Sequence, residues 1–369
     1  MNLKISRRSI IKGLIGLLGS VGILSYFKLN QGNKNMIKKQ FALDFQWKTQ
    51  EPFLFCVHHD DHYPMGTSDF GPDKAHHTGR DMGQDFQIKD GFRMYHGEVV
   101  PGFPVHPHRG FETITIVRKG FVDHSDSMGA AGRYGEGDVQ WMTAGSGVQH
   151  SEMFPLIKKD ANNRLELFQI WLNLPKKSKM TKPHFTMFWS EKIPLISLNN
   201  KTVQLSLIAG SWQDVQALPP PPDSWASHED SEIAVWLVKM KKGSEFTIPE
   251  TRQAASRTLY FFDGDALNLN NIKINSKSGL ELDSQFSASI KADYSDIEFL
   301  MLQAKPLGEP IVQHGPFVMN SKEEIIQTIQ DYQKNQFGGW PWPVAEMVHG
   351  DKLERFAKFP DGRVEKPNS

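Results

Sequence analysis

The sequence predicts an all-β protein of two consecutive barrels, followed by one short helix. Three observations carry this. Apolar residues fall in short or alternating runs, the signature of strands, in both halves of the chain. Thirty Gly and 22 Pro supply the turns between those runs. A single stretch near the C-terminus has the punctuation of a helix. With 369 residues, 24 Phe, 9 Trp and a hydrophobic fraction of 39%, the chain can fill two cores. The expected division is 1–40 as an export segment and linker, 41–175 and 176–336 as the two barrels, and 337–369 as a surface tail.

In chain order, the N-terminus reads as an address. Ser6 to Lys12 presents an Arg pair, Arg7-Arg8, ahead of a weakly apolar run from Gly13 to Phe27. This is the pattern of a twin-arginine export signal, which implies passage of the folded protein to the periplasm by the twin-arginine machinery. No small-x-small cleavage site is evident between Ser20 and Gln40, so residues 10–29 could stay as an inner-membrane anchor. At ~1.5 Å per residue the apolar run reaches only ~22 Å of a ~30 Å hydrocarbon core, so anchoring is not required. Asn30 to Lys39 reads as a linker. Residues 1–40 hold eight Lys/Arg and no acidic residue, leaving 34 basic against 42 acidic residues in the remainder, a net of −8. So acidic a body argues against nucleic-acid binding. Cys56 is the single cysteine and is expected to be a small buried hydrophobe.

Pro52 to Val57 reads as a buried strand. His58 to His62 (His-His-Asp-Asp-His) and His76-His77 read as solvated loop, and Phe92 to His96 as another strand. Thr113 to Val117 alternates and ends at the Lys119-Gly120 turn. Residues 121–133 have loop composition. Val139 to Met142 and Leu165 to Leu172 are strands, the latter closing the sheet. In the second half, strands are expected at Val203–Ile208, Ile233–Met240, Thr258–Phe262 and Ile297–Leu302, with Pro219–Pro222 a rigid loop. Ser321 and Glu324 form a capping box that opens a helix to about Tyr332, with Ile325, Ile326 and Ile329 on one face.

The chemistry concentrates between Phe103 and Phe154. His106 and His108 are spaced to share one strand face, as are His150 and Glu152. Imidazoles with a carboxylate and no Cys suit a reactive site for Fe(II), Mn, Ni, Cu or Zn rather than a structural zinc. Glu112 competes with Glu152 as the carboxylate: if His106 and His108 point inward, strand parity sends 110 and 112 inward too. Phe103, Phe111, Trp141 and Met142 are candidates for an apolar pocket wall or for ordinary core. The second half has only His184, His228 and His314, widely separated, and no comparable cluster.

His106 to Thr113 (His-Pro-His-Arg-Gly-Phe-Glu-Thr), Gln140 to Gly145, His150 to Met153 and Gly308 to Asn320 resemble the pirin family of the cupin superfamily, over roughly Phe41 to Gln336. The resemblance implies two tandem cupin barrels (double-stranded β-helix, or jelly-roll), with one metal, usually iron as Fe(II), in the first. It implies His106, His108, His150 and Glu152 as ligands, with Glu112 and Arg109 beside them. Gln313 to Asn320 would join the last strand to the helix. Compared with shorter pirins, the interval from Pro52 to His106 is longer. The export signal puts the nuclear role of animal pirins out of reach.

The resemblance further implies a non-haem dioxygenase that opens flavonols such as quercetin with O2, Glu152 accepting the substrate's hydroxyl proton. The alternative is a non-catalytic metal-binding or redox-sensing protein acting through a protein partner. A weaker alternative is a metal-assisted isomerase or hydrolase.

Overall fold

Strand character is set here by which side of each segment is buried. In the computed structural model, which describes residues 36–368, the first barrel is assembled from β1 (Ile37–Ala42), β2 (Gln46–Trp47), β3 (Phe53–Tyr63), β4 (Gly102–His108), β5 (Phe111–Lys119), β6 (Phe121–Asp126), β7 (Ala131–Gly135), β8 (Val139–Thr143), β9 (Val148–Met153), β10 (Asn163–Asn173) and β11 (His184–Phe188), except that β1 crosses to the second barrel. The stretch expected to be a twin-arginine signal lies outside the described residues. Two antiparallel six-stranded sheets face each other. One runs β11-β8-β5-β10-β3-β2; the other contains β7-β6-β9-β4 and is extended at its β7 edge by two strands of the C-terminal tail. A second sandwich pairs a seven-stranded sheet, which includes Ala234–Met240 and Ile297–Ala304, with a four-stranded one. The architecture is the expected all-β double barrel with one α-helix among the described residues, Lys322–Asn335.

Three cores result. One fills the first barrel, with Val117, Tyr134, Met142 and Leu167; one fills the second, with Leu205, Leu259 and Phe299. The third lies between the barrels. There Ile114, Trp141, Phe168 and Ile170 of the first meet Val235, Tyr260 and Leu300 of the second. Arg118 of β5 bridges Glu166 of β10 and Glu298 of the second barrel at the rim of this contact. Cys56 is fully buried, and burial pushes its thiol pKa far up, so it behaves as an apolar group.

Several expectations need correction. Residues 37–39 are not linker: β1 pairs with Ser278–Asp283 and adds a strand to the second barrel. His58 to His62 is not a loop but the end of β3, where His59 and Asp61 face inward and are satisfied by Tyr95 and Arg93. Residues 121–133 form most of the β6–β7 hairpin. Polar residues at its buried positions, among them Asp123, His124 and Asp126, hid the strand signal. Phe92 to His96 is not a strand. Gly91 and Tyr95 have positive φ, and only isolated bridges form there. Leu165 to Leu172 does not close the sheet: β10 lies between β3 and β5.

The helix has the predicted capping box, Ser321 with Glu324. Ile325 is buried and Ile329 partly so, but Ile326 is exposed, because the helix packs through one narrow stripe on Phe317, Met319 and Phe337. The tail does more than cross the surface. Phe356–Lys358 pairs with β7, and Arg133 reaches the Gly350 and Lys352 carbonyls.

Gly110 forms, with Arg109, the two-residue turn from β4 to β5. Its φ is +85°, and a Cβ there would lie 2.0 Å from the Val318 carbonyl oxygen. Gly110→Ala should therefore cost at least about 2 kcal/mol, read as a lower urea midpoint.

Candidate metal centre

β4 and β9 are antiparallel neighbours, with His106 directly opposite His150. Side chains opposite each other share a face, and His108 shares that face two residues along β4. The three imidazoles are thereby brought together: ring centroids are 4.5 Å apart for His106–His150, 4.7 Å for His106–His108 and 4.8 Å for His108–His150. One nitrogen from each lies within 4.8 Å of the others, and this is the one such triad among the described residues.

The tautomers follow from hydrogen bonding. His106 Nδ1 is 2.8 Å from the Pro104 carbonyl, which can only accept, so Nδ1 carries the proton and Nε2 offers a lone pair. Both nitrogens of His150 are buried with no hydrogen-bond partner. Burial lowers the His106 pKa to about 4, and burial plus the neighbouring imidazoles hold His108 and His150 well below their usual range. His106 Nε2 and His108 Nε2 converge at 3.1 Å, and neutral imidazoles that converge through ring nitrogens are the form a metal requires, so these residues fit a divalent ion.

Glu152 lies two residues beyond His150 on the same strand, with Oε2 3.9 Å from His150 Nε2. Thr115 Oγ1 donates to its Oε1 at 3.1 Å and Gln169 Nε2 to its Oε2 at 2.6 Å. Burial raises its pKa, and the Gln169 hydrogen bond opposes that rise. Its carboxylate is aimed by β5 and β10 beside the triad.

Glu112 goes elsewhere. The Arg109-Gly110 turn resets the alternation, so Phe111, Thr113 and Thr115 face the site while Glu112 and Ile114 face the second barrel. Glu112 accepts from Thr143 Oγ1 at 2.7 Å and from Ser224 Oγ of the second half. The parity argument failed because it carried the period through a turn. Arg109 also points away: it donates to the Ser146 carbonyl at 2.7 Å and to Asp331 at 2.7 Å, with its guanidinium over the Phe337 ring. It ties the turn to the helix.

Of the four apolar candidates, Phe111 stands 5.0 Å from the His108 ring, and Phe103 stands 6.3 Å from the His106 ring. Met142 belongs to the first-barrel core. Trp141 is not a pocket wall; it fills the contact between the barrels. The residues that complete the wall were missed. Trp171 packs on Phe111 at 4.4 Å and on His108 at 5.4 Å, with Phe55 beyond it at 4.8 Å. The alternation of β10, which puts Trp171 on the same face as Gln169, could have found it.

Two buried polar groups were missed as well. His124 lies opposite Glu152 on β6, bonded to Asp126 at 3.3 Å, with its ring 5.6 Å from His150. Lys179 Nζ donates to the Gly110 and Val318 carbonyls and to Asn173, and so holds the β4–β5 turn; burial lowers its pKa to about 8. His58 and the His76-His77 pair lie outside the triad. His58 stacks on Phe168 and bonds Glu166, and His76 packs on Phe92.

Comparisons with known proteins bear on the family and the fold. Residues 36–172 match the family description Pirin, and residues 235–338 match the Pirin C-terminal cupin domain. A Pseudomonas aeruginosa protein named "Putative quercetin 2,3-dioxygenase" is 36% identical over 236 residues, 64% of this chain and 79% of that protein. Pirin-1 of Arabidopsis thaliana is 36% identical over 241 residues, 64% of this chain and 78% of its own length. The crystal structure of quercetin 2,3-dioxygenase from Acinetobacter baumannii superposes with a TM-score of 0.66 at 27% identity, covering 85% of this chain and all of that one.

Replacing His106, His108 or His150 by Ala should abolish the metal retained after dialysis, measured by elemental analysis, with the fold intact by circular dichroism. Burial raises the Glu112 pKa from 4.5 to about 7, so the fold favours its neutral form. That contribution to stability is complete below pH 4.5 and is lost as pH rises through about 7. Glu112→Gln should remove this component, so its urea midpoint should fall less than that of the wild type between about pH 5 and about pH 8.

Proposed function

This chain belongs to the pirin family, and from that premise we propose that it is a metal-dependent dioxygenase opening a flavonol-like phenolic substrate with O2. The observation that carries the reading is the convergence of three neutral imidazoles, His150 with both nitrogens unpartnered, beside a wall of Phe111, Trp171 and Phe55. The names borne by the Pseudomonas and Acinetobacter proteins support the same chemistry.

In this reading His106, His108, His150 and Glu152 hold one divalent ion, Fe(II) before Mn, Ni, Cu or Zn. Such an ion would supply Lewis acidity for a phenolic oxygen and an open position for dioxygen. The protein's own groups do the rest. His106, with Nδ1–H fixed on Pro104, keeps Nε2 directed into the site. Trp171 and Phe55, both partly exposed, offer an apolar surface against which an aromatic ring is oriented and water excluded, with the buried Phe111 packed against Trp171. Glu152, held by Thr115 and Gln169, is placed to take the hydroxyl proton of the substrate. Both oxygen atoms of O2 enter the opened product, so no external reductant is required. The twin-arginine segment suits export of the folded, metal-loaded protein to the periplasm, which would fix the choice of metal in the cytoplasm.

Metal-loaded protein should consume O2 and quercetin in equal amounts, followed with an oxygen electrode and by loss of the flavonol absorbance. Glu152→Gln should lower kcat by about a hundredfold or more. Absence of turnover with Fe, Mn, Ni and Cu, each shown to be bound, would sink the reading.

A further inference from the structure

The long segment between β3 and β4 contributes a further histidine at the edge of the site. His96, Phe103 and His106 are each half-buried, so the three line an accessible rim. The His96 ring is 5.7 Å from Phe103, and Phe103 is 6.3 Å from His106. His96 Nδ1 is 2.8 Å from the Gly83 carbonyl and 3.3 Å from Gln84 Nε2. The shorter contact is to a group that can only accept, so Nδ1 carries the proton. The neutral ring therefore offers Nε2 as an acceptor, and Nε2 bonds no protein atom among the described residues.

His96 is rigidly placed. Its neighbour Tyr95 has φ +59°, a costly conformation for a bulky residue and one that persists only where its surroundings impose it. The surroundings do so. Tyr95 exchanges both backbone hydrogen bonds with Asp85, and its phenol donates to Asp61 Oδ2 at 2.6 Å. Having only one proton, that phenol accepts from His59 Nδ1–H at 2.6 Å. Arg93 closes the set on Asp61. From the far side, the Glu346 carboxylate of the tail accepts from the backbone N–H groups of Glu98, Val99 and Val100. These contacts from both sides fix where the loop presents His96.

We propose that His96 is a substrate-binding residue. Its Nε2 accepts a hydrogen bond from a second hydroxyl of a planar polyphenol that lies against Phe103 and reaches the imidazole triad. The proposal rests on the polyphenol reading of the site given above. It makes the segment 64–101 a selector of hydroxylated rings, with Tyr95, Asp61 and His59 as positioning residues.

The test compares quercetin, hydroxylated on both ring systems, with 3-hydroxyflavone, which has only the 3-hydroxyl. Dissociation constants are read from quenching of tryptophan fluorescence in metal-free and metal-loaded protein, and KM and kcat from O2 uptake. His96→Ala should weaken quercetin binding and raise its KM about five- to tenfold, the loss of one hydrogen bond, while leaving kcat, metal content and 3-hydroxyflavone binding nearly unchanged. His96→Gln, which keeps an acceptor of similar reach, should recover part of the loss. Equal loss on both ligands, or none on either, would overturn the assignment. Binding without O2-dependent turnover in the wild type would defeat the dioxygenase reading alone. Turnover with an unchanged quercetin KM in His96→Ala would defeat this inference alone, and a wild type that binds neither flavonol would defeat both.

Discussion

Three imidazoles within contact distance of one another, two buried and one half-buried, are costly unless they stay neutral and gain a partner for their lone pairs. Much of the first barrel can be understood as meeting that constraint. The β4–β9 register sets His106 against His150, and the Pro104 carbonyl fixes one tautomer. The two-residue turn at Arg109-Gly110 then brings Phe111 rather than Glu112 to the site. Had the alternation run on through the turn, a second carboxylate would face the imidazoles. Instead, one carboxylate, Glu152, approaches from the strand that already holds His150.

The second barrel and the C-terminus contribute to the site without touching it. The contact between the barrels buries the back of β5, β8 and β10, so the face carrying Thr115, Gln169 and Trp171 is backed by a packed layer. The helix and its preceding hairpin hold the β4–β5 turn through Arg109, Lys179 and the Val318 carbonyl. The tail adds a strand at β7 and braces the rim through Glu346. Support from three distant parts of the chain explains how a turn with a left-handed glycine and a loop with a left-handed tyrosine can both be held at one site.

How much of this was legible in the sequence depended on what the buried positions contained. Strands with apolar inward residues, such as Val139–Thr143 and Ile297–Ala304, announced themselves by pattern. The capping box at Ser321 did so by local chemistry, and the His106-x-His108 and His150-x-Glu152 spacings marked the site directly. Segments whose inward residues are polar did not. β3 past Val57 and the hairpin of β6 and β7 bury His59, Asp61, Asp123, His124 and Asp126, and of these His59, Asp61 and Asp123 are satisfied by partners distant in the chain or across a hairpin. No window of sequence reveals such partners, so these strands read as loops. Spacing alone did not choose between Glu112 and Glu152, because the turn at Arg109-Gly110 that sends Glu112 toward Ser224 of the second barrel leaves no mark in the strand period. The wall residues Phe55 and Trp171 come together only through the pairing of β3 with β10.

The central claim is that one metal ion is held by three histidines of the first barrel together with Glu152. X-ray absorption spectroscopy of natively loaded protein tests it most directly. The account predicts the multiple-scattering pattern of three imidazoles plus oxygen, and no bound-metal absorption edge in His150→Ala, which retains no metal. A spectrum without imidazole scattering, or one unchanged by that substitution, would contradict it.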